Sequence, residues 1–234
     1  MAAENNRFGL SKLILVIIFY TLIFPTIILL LAGDWFWIEG WIFGIWFAVM
    51  CSAVIIYMYR HDPALLAERS KMPGSDNEKG WDKYVISIIY LAFIAWLIIM
   101  PLDAKRYGWT TYFPVWLKVL GGVALLPALY FLYRSVVENT FASTLVRVQT
   151  DRKQHVISTG VYSFVRHPMY LGGLLMWLGA PLLLGSIYGL MITIILTPII
   201  AVRIIGEEKM LVNELEGYAD YKKQVKYRLI PFVW

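Results

Sequence analysis

The chain has 234 residues, of which 59% are hydrophobic and only 16% charged, with a formal net charge of +5. A soluble domain carries about 25% charged residues, so the composition excludes a soluble fold and points to helices in lipid. The single cysteine, Cys51, lies inside an apolar run, which excludes a disulfide framework or a cysteine-based metal site.

Six apolar stretches follow one another at about 13–33, 38–59, 84–101, 113–133, 170–184 and 187–203. The first four approach the ~20 residues a helix needs to cross the hydrocarbon core. The last two are shorter and are joined by Gly185-Ser186, which predicts a tight helical hairpin. The fold expected is an all-α integral membrane protein with about six transmembrane helices, the last two forming this short C-terminal hairpin. A cytoplasmic amphipathic helix follows. Residues 1–133 form a four-helix membrane region. Residues 134–234 add a loop, the hairpin, a surface helix and a tail, all in one integrated unit.

The first stretch reads as a retained helix and not a cleaved signal, because bulky Asp34-Trp35-Phe36-Trp37 follows it. Pro25 is placed to kink that helix. Trp35, Trp37 and Trp41 suit an interfacial aromatic belt, and Gly40 with Gly44 suits close helix packing. In the loop over 60–83, Asp62-Pro63 opens a short amphipathic turn whose Leu65 and Leu66 are expected at the membrane surface. Met72-Pro73-Gly74-Ser75 then breaks it. This loop is either a solvated connector or a lid. Alternation around Thr144–Gln149 and His155–Ser158 predicts a short β-ribbon turning at Thr150-Asp151-Arg152-Lys153. Beyond Arg203, Leu211, Leu215 and Tyr218 share one face of an amphipathic surface helix. The closing YRLIPFVW is apolar and is expected to fold back on the bundle.

Charge placement orients the bundle. Of 21 Lys and Arg residues, 18 fall in the N-terminal segment and in 60–83, 134–166 and 203–228. Only Lys105 and Arg106 lie on the other side, and Lys118 is within the fourth stretch. The positive-inside rule therefore puts both termini in the cytoplasm. It also accounts for the basic balance without nucleic acid, for which no soluble basic domain is present.

Several chemistries lack their residues. There is no phosphate-binding P-loop, no dinucleotide fingerprint and no serine-hydrolase elbow. His61, His155 and His167 lack metal-ligand spacing, so no metal is expected. What remains lies in GVYSFVRHPMYLGG, residues 160–173. Pro168 suits the first turn of a helix, whose N-terminal amides would seat a carboxylate. Arg166 and His167 flank that seat, and Tyr170 lies one turn on. Both basic residues could equally snorkel at the interface. Arg203 and Glu207 stand four apart on one helical face, which allows either a simple ion pair or a site facing an aqueous cavity. The acidic pair Glu207–Glu208 attracts a cation and an arginine attracts an anion. A cofactor with a sulfonium and an amino group, used on an anionic acceptor, calls for both.

These residues resemble the isoprenylcysteine carboxyl methyltransferase family of integral membrane methyltransferases, related to the phospholipid methyltransferases. The resemblance rests on GVYSFVRHPMYLGG at 160–173, RIIGEE at 203–208 and GYADYKKQVKYRLIPFVW at 217–234. It covers roughly residues 140–234, while the first four spans match only as generic membrane helices. It implies S-adenosylmethionine in a cytoplasm-facing pocket and an acceptor that enters from the bilayer. His167, Tyr170 and the backbone around Val165, Arg166 and Pro168 would hold the methionine part. Glu207 or Glu208 would take its ammonium. Tyr218, Tyr221 and the tail with Leu229 and Pro231 would pack the adenosyl group. Arg203 would orient the acceptor, with Glu207 beside it at the catalytic position. The acceptor could be a carboxylate, a thiol or an amine on a lipophilic or lipid-like molecule. Two other readings stand beside this one: an NADPH-dependent membrane reductase of sterol-reductase type, and a non-catalytic membrane scaffold.

Overall fold

A computed structural model describes residues 9–74 and 78–234. Arg7, counted with the cytoplasmic charges, and Ser75, the last of the four residues expected to break the amphipathic turn, lie outside the described residues. The described residues form eight helices: α1 (Leu10–Ala32), α2 (Ile38–His61), α3 (Pro63–Arg69), α4 (Asp82–Arg106), α5 (Val115–Glu138), α6 (Pro168–Leu184), α7 (Ile187–Glu214) and α8 (Tyr218–Gln224). Five of them, α1, α2, α4, α5 and α7, are long and apolar enough to cross a membrane, and α6 is a shorter apolar helix. Outward-facing Val123, Leu126, Ile194 and Ile195 are more than half exposed, an apolar surface that a bilayer covers. The protein is an all-helical integral membrane protein.

Local chemistry sets these elements. In α1 the helix loosens into a π-turn at Phe19–Ile23, immediately before Pro25, whose missing N–H cannot complete the ladder. Gly33 (φ 71°) closes α1. Gly40 and Gly44 face Leu29 and Pro25 of α1, as the small-residue spacing predicts. Packing is tightest between α5 and α6. A Cβ on Gly121 would lie 2.4 Å from the Leu183 amide nitrogen, so only glycine permits this approach. The hairpin between α6 and α7 turns at Gly185 (φ 79°), and Ser186 caps α7 by accepting from the Gly189 amide.

Every long helix supplies the core. Ile28, Phe43, Trp96, Leu125, Trp177 and Leu196 are all buried there. Trp96 donates to Thr193 Oγ1 (3.2 Å), which itself donates to the Trp177 carbonyl (2.7 Å). Polar groups collect at the two ends of this core. At one end Lys105 meets Asp34 (2.9 Å), Lys118 meets Glu39 (2.7 Å), and Ser186 donates to buried Asp103 (2.7 Å). At the other end α3, the segment entering α4, the loop 139–166 and the C-terminal segment meet in one layer.

Four expectations are corrected in these peripheral parts. Residues 144–158 form no β-ribbon, and no strand occurs among the described residues. The predicted turn is real, as a 3₁₀ turn at Thr150–Arg152 followed by Lys153 (φ 52°). Its flanks do not pair because their backbone groups are satisfied elsewhere. The Val146 amide donates to Asp82 and its carbonyl accepts from Lys79, while the Gln149 amide donates to Gln154 Oε1. Leu65 and Leu66 turn inward, packing on Met58 and Val136 instead of the membrane surface. Trp37 leaves the interfacial belt and is buried in the core. Finally, the helix beyond Arg203 is not separate from the hairpin. α7 runs unbroken to Glu214, then breaks at Gly217 (φ 81°) before the short α8.

Candidate functional site

A cavity of about 230 Å³ lies in this polar layer. The entry to α6 (Arg166 to Tyr170), the C-terminal part of α7 (Arg203, Glu207, Met210, Leu211), α8 (Tyr218, Tyr221), the loop 139–157 and Ile86 and Tyr90 of α4 line it. Six apolar groups of the C-terminal segment, including Met210, Leu211, Leu215 and Val225, pack with Val146 to hold loop, α7 and α8 together.

Two ionic clusters fix the wall. In the first, Glu208 is buried and meets three basic side chains: Arg166 Nε at 2.6 Å, Arg228 Nε at 2.9 Å and His167 Nε2 at 3.3 Å. Arg166 Nη1 also donates to the Val225 and Lys226 carbonyls. Its amide and that of His167 donate to the Tyr227 and Arg228 carbonyls. Arg166 therefore does not snorkel. It ties the start of α6 to the tail.

In the second cluster, Arg203 meets buried Asp82 through both Nε (2.7 Å) and Nη2 (2.9 Å). Nη2 further donates to the Thr144 carbonyl, and Nη1 to Tyr170 Oη at 2.9 Å. Tyr170 in turn donates to Glu207 Oε2 at 2.9 Å. The simple Arg203–Glu207 pair that their spacing allows is replaced by this relay. Asp82, Thr144, Arg147 and Glu68 take part in the site without having been singled out from sequence. Asp82 carried a signal, as a lone acid at the mouth of an apolar span.

Glu68 and Arg147 form a third pair, with Nε–Oε1 and Nη2–Oε2 distances of 2.8 and 2.7 Å. Burial pushes the Glu68 carboxyl up, but hydrogen bonds from Arg147 and Lys71 outweigh it and hold the group at about 2. The segment 60–83 is thus bound to the loop that walls the cavity.

Of the residues expected to act, Arg166, His167, Pro168, Tyr170, Arg203, Glu207, Tyr218 and Tyr221 line the cavity together. Val165 is buried beside it, and Glu208 braces it from behind. Leu229 lies on a separate small hollow with Leu174, Ile200 and Trp234, where the tail folds back on α6 and α7, and Pro231 is exposed. Two polar groups of the wall lack partners among the described residues, Tyr218 Oη and Thr144 Oγ1, and both are buried. Burial, then the charges of Glu208 and Glu207, push the Tyr218 phenol well above its usual range, so it stays protonated and able to donate.

The fold and this charged cavity define an all-helical integral membrane protein with a polar site at one end of its bundle. Residues 116–217 match the model of the phospholipid methyltransferase family. Three relatives are protein-S-isoprenylcysteine O-methyltransferases. The Schizosaccharomyces pombe protein is 32% identical over 36% of this chain and 36% of its own. The Saccharomyces cerevisiae protein is 37% identical over 39% and 38%. Arabidopsis thaliana form B is 26% identical over 62% and 71%. The matched part thus spans little more than a third of the first two relatives. A solved structure, the eukaryotic intramembrane Ras methyltransferase (isoprenylcysteine carboxyl methyltransferase), shares the fold. It gives a TM-score of 0.51 at 18% identity, covering 96% of this chain and 87% of that one. Together these findings support an isoprenylcysteine carboxyl methyltransferase-like membrane protein.

Proposed function

We propose that this protein is a membrane methyltransferase that uses S-adenosylmethionine to methylate a lipophilic acceptor, with both termini in the cytoplasm. The observation that carries the reading is the pairing, in one cavity, of half-buried Glu207 with two unpartnered hydroxyls, Tyr218 Oη and Thr144 Oγ1. Buried polar groups without partners are rare in folded proteins, and a polar ligand relieves them. The residues present therefore suit the cofactor. Glu207 would face its ammonium, Tyr218 and Thr144 would hydrogen-bond its polar groups, and Tyr162, Leu211 and Tyr221 would flank its apolar faces. When bound, S-adenosylmethionine supplies an electrophilic methyl group on a sulfonium.

The chain's own part is positioning and the exclusion of water. An ionised carboxylate or thiolate needs no strong general base, so alignment in a dry site is the main requirement. The loop 139–157 and α8 cover the cavity from the aqueous side. Tyr90 both lines the cavity and is 40% exposed on the outside of α4, which supports entry of a greasy acceptor from the bilayer. Arg203 keeps its fork on Asp82 and holds Tyr170, and through it Glu207, in place. Among the described residues, loops rich in Lys and Arg meet at this end of the bundle, which supports its cytoplasmic placement.

The reductase reading requires cations for a nucleotide phosphate. The three arginines on the wall, Arg147, Arg166 and Arg203, are already held by Glu68, Glu208 and Asp82. Calorimetric titration of detergent-solubilised protein with S-adenosylmethionine and, separately, NADPH decides between them. The expected result is binding of S-adenosylmethionine alone, weakened by Tyr218→Phe. Binding of NADPH alone, or of neither, would overturn the proposal.

A further inference from the structure

Beyond α8 the tail makes a turn whose apolar side chains stand outward. Ile230, Pro231, Phe232 and Val233 are all exposed, Phe232 at 89% and Val233 at 76%. Four successive apolar residues left uncovered among the described residues mark a contact surface. The turn is nevertheless firmly built. The Arg228, Leu229 and Ile230 amides all donate to the main-chain oxygen of Trp234, at 3.0, 3.0 and 3.3 Å. The Val233 and Trp234 amides donate back to the Ile230 carbonyl at 3.1 and 3.0 Å. Phe232 takes φ 64°, a left-handed conformation rare for a bulky residue. An unfavoured backbone that the fold maintains in this way points to a use.

The inner side of the turn shows what covers the outer one. Leu229, Ile230 and Trp234 close a small hollow on α7 at Thr197, Ile200 and Ala201. Ile194 and Ile205, about one turn to either side of that strip, are exposed on the lipid-facing flank of α7. The turn therefore sits within the apolar surface that the bilayer covers, just inside the polar layer to which Arg203 belongs. Upstream, Lys222, Lys223 and Lys226 are exposed. Such flanking charge suits a segment lying among lipid headgroups.

The same segment is tied to the cavity wall. The Arg166 and His167 amides donate to the Tyr227 and Arg228 carbonyls, and Arg228 Nε reaches Glu208. The Arg228 guanidinium also lies 5.2 Å from the centre of the Trp234 ring. We propose that the turn 230–233 is a membrane anchor, which docks into the lipid leaflet at the cavity end of the bundle and thereby keeps the tail on the entry to α6. Neither the turn nor its ties depend on which ligand the cavity takes.

The test uses the full chain, without ligand, in phosphatidylcholine nanodiscs. A nitroxide is attached at Val233→Cys and, for comparison, at Glu216→Cys, an exposed charged position ahead of α8, both with Cys51→Ala. The Val233 label should relax with oxygen dissolved in the lipid and be shielded from a water-soluble nickel chelate, and the Glu216 label should do the reverse. Hydrogen exchange then reads the tie to α6. Phe232→Asn keeps a residue that tolerates left-handed backbone but removes the anchor. Exchange at the Arg166 and His167 amides should quicken by about tenfold or more, the worth of one large apolar side chain leaving water. Phe232→Leu should keep most of the protection. Access of the chelate to the Val233 label would overturn the proposal. Shielding from both reagents would place protein there, such as a second copy of this chain, and overturn it too. So would unchanged or slower exchange in Phe232→Asn, which a role in turn geometry alone predicts, or an equal rise in Phe232→Leu.

Discussion

Glu207 and Glu208 are neighbours on α7, yet their carboxylates serve different masters. Glu208 accepts from Arg166, His167 and Arg228 and holds the tail to the start of α6. Glu207 accepts from Tyr170 at the cavity wall. A single step along the helix thus separates the brace from the group offered to a ligand.

From that division the two isosteric amides should behave oppositely. Glu208→Gln leaves Arg166 buried without its counter-charge and should cost about 3–5 kcal/mol of stability. Glu207→Gln should change stability by less than about 1 kcal/mol, since Tyr170 can still donate to the amide oxygen. It should instead weaken S-adenosylmethionine binding by about tenfold or more. Thermal unfolding in detergent, paired with calorimetric titration, checks both. Equal stability loss in the two variants would contradict the division.

Asp82 and Arg203 should act as one unit. Removing either leaves the other buried and unpaired, at a cost of about 3–5 kcal/mol each. The double variant Asp82→Ala with Arg203→Ala should cost clearly less than the sum. A double-mutant cycle on unfolding free energy checks this, and strict additivity would show the pair to be uncoupled.

Much of this architecture could be read from the chain because bilayer thickness forces long apolar runs, and Gly185-Ser186 leaves little choice but a turn. The C-terminal wall was legible for a related reason. Arg166, His167, Tyr170, Arg203 and Glu207 sit in short local motifs. Asp82 and Glu68 were not legible, since each meets a partner more than 70 positions away. Alternation at 144–149 misled because an extended loop also points successive side chains to opposite sides. Val146 faces the α7–α8 cluster, while Arg147 faces Glu68.

Acid should loosen the loop through Glu68. Its carboxyl is held at about 2, below the ordinary value of 4.5. A carboxylate with a depressed folded pKa contributes stability that is fully present above the unfolded pKa and is lost as pH falls through the folded one. The unaltered protein should therefore lose stability, relative to Glu68→Gln, between pH 4.5 and about 2. Unfolding midpoints measured across that window check it, and parallel curves for the two proteins would contradict it.

Two adjacent glycines should respond differently to one methyl group. At Gly121 an added Cβ meets the Leu183 amide at 2.4 Å and the Gly179 carbonyl at 2.6 Å, whereas at Gly122 its nearest contact is Leu183 Cδ1 at 3.7 Å. Gly121→Ala should force α5 from α6 and destabilise by about 1–3 kcal/mol. Gly122→Ala should be neutral or stabilise by up to about 1 kcal/mol, because alanine favours the helix. Unfolding of the two single variants in detergent checks the contrast.

Methyl transfer itself is the most direct test. Purified protein in liposomes would be incubated with methyl-labelled S-adenosylmethionine and a farnesylated cysteine bearing a free carboxylate. Label should pass into the organic phase as a base-labile ester, fall by about tenfold or more with Glu207→Gln, and be absent without protein. No transfer by protein shown to bind both molecules would contradict the account.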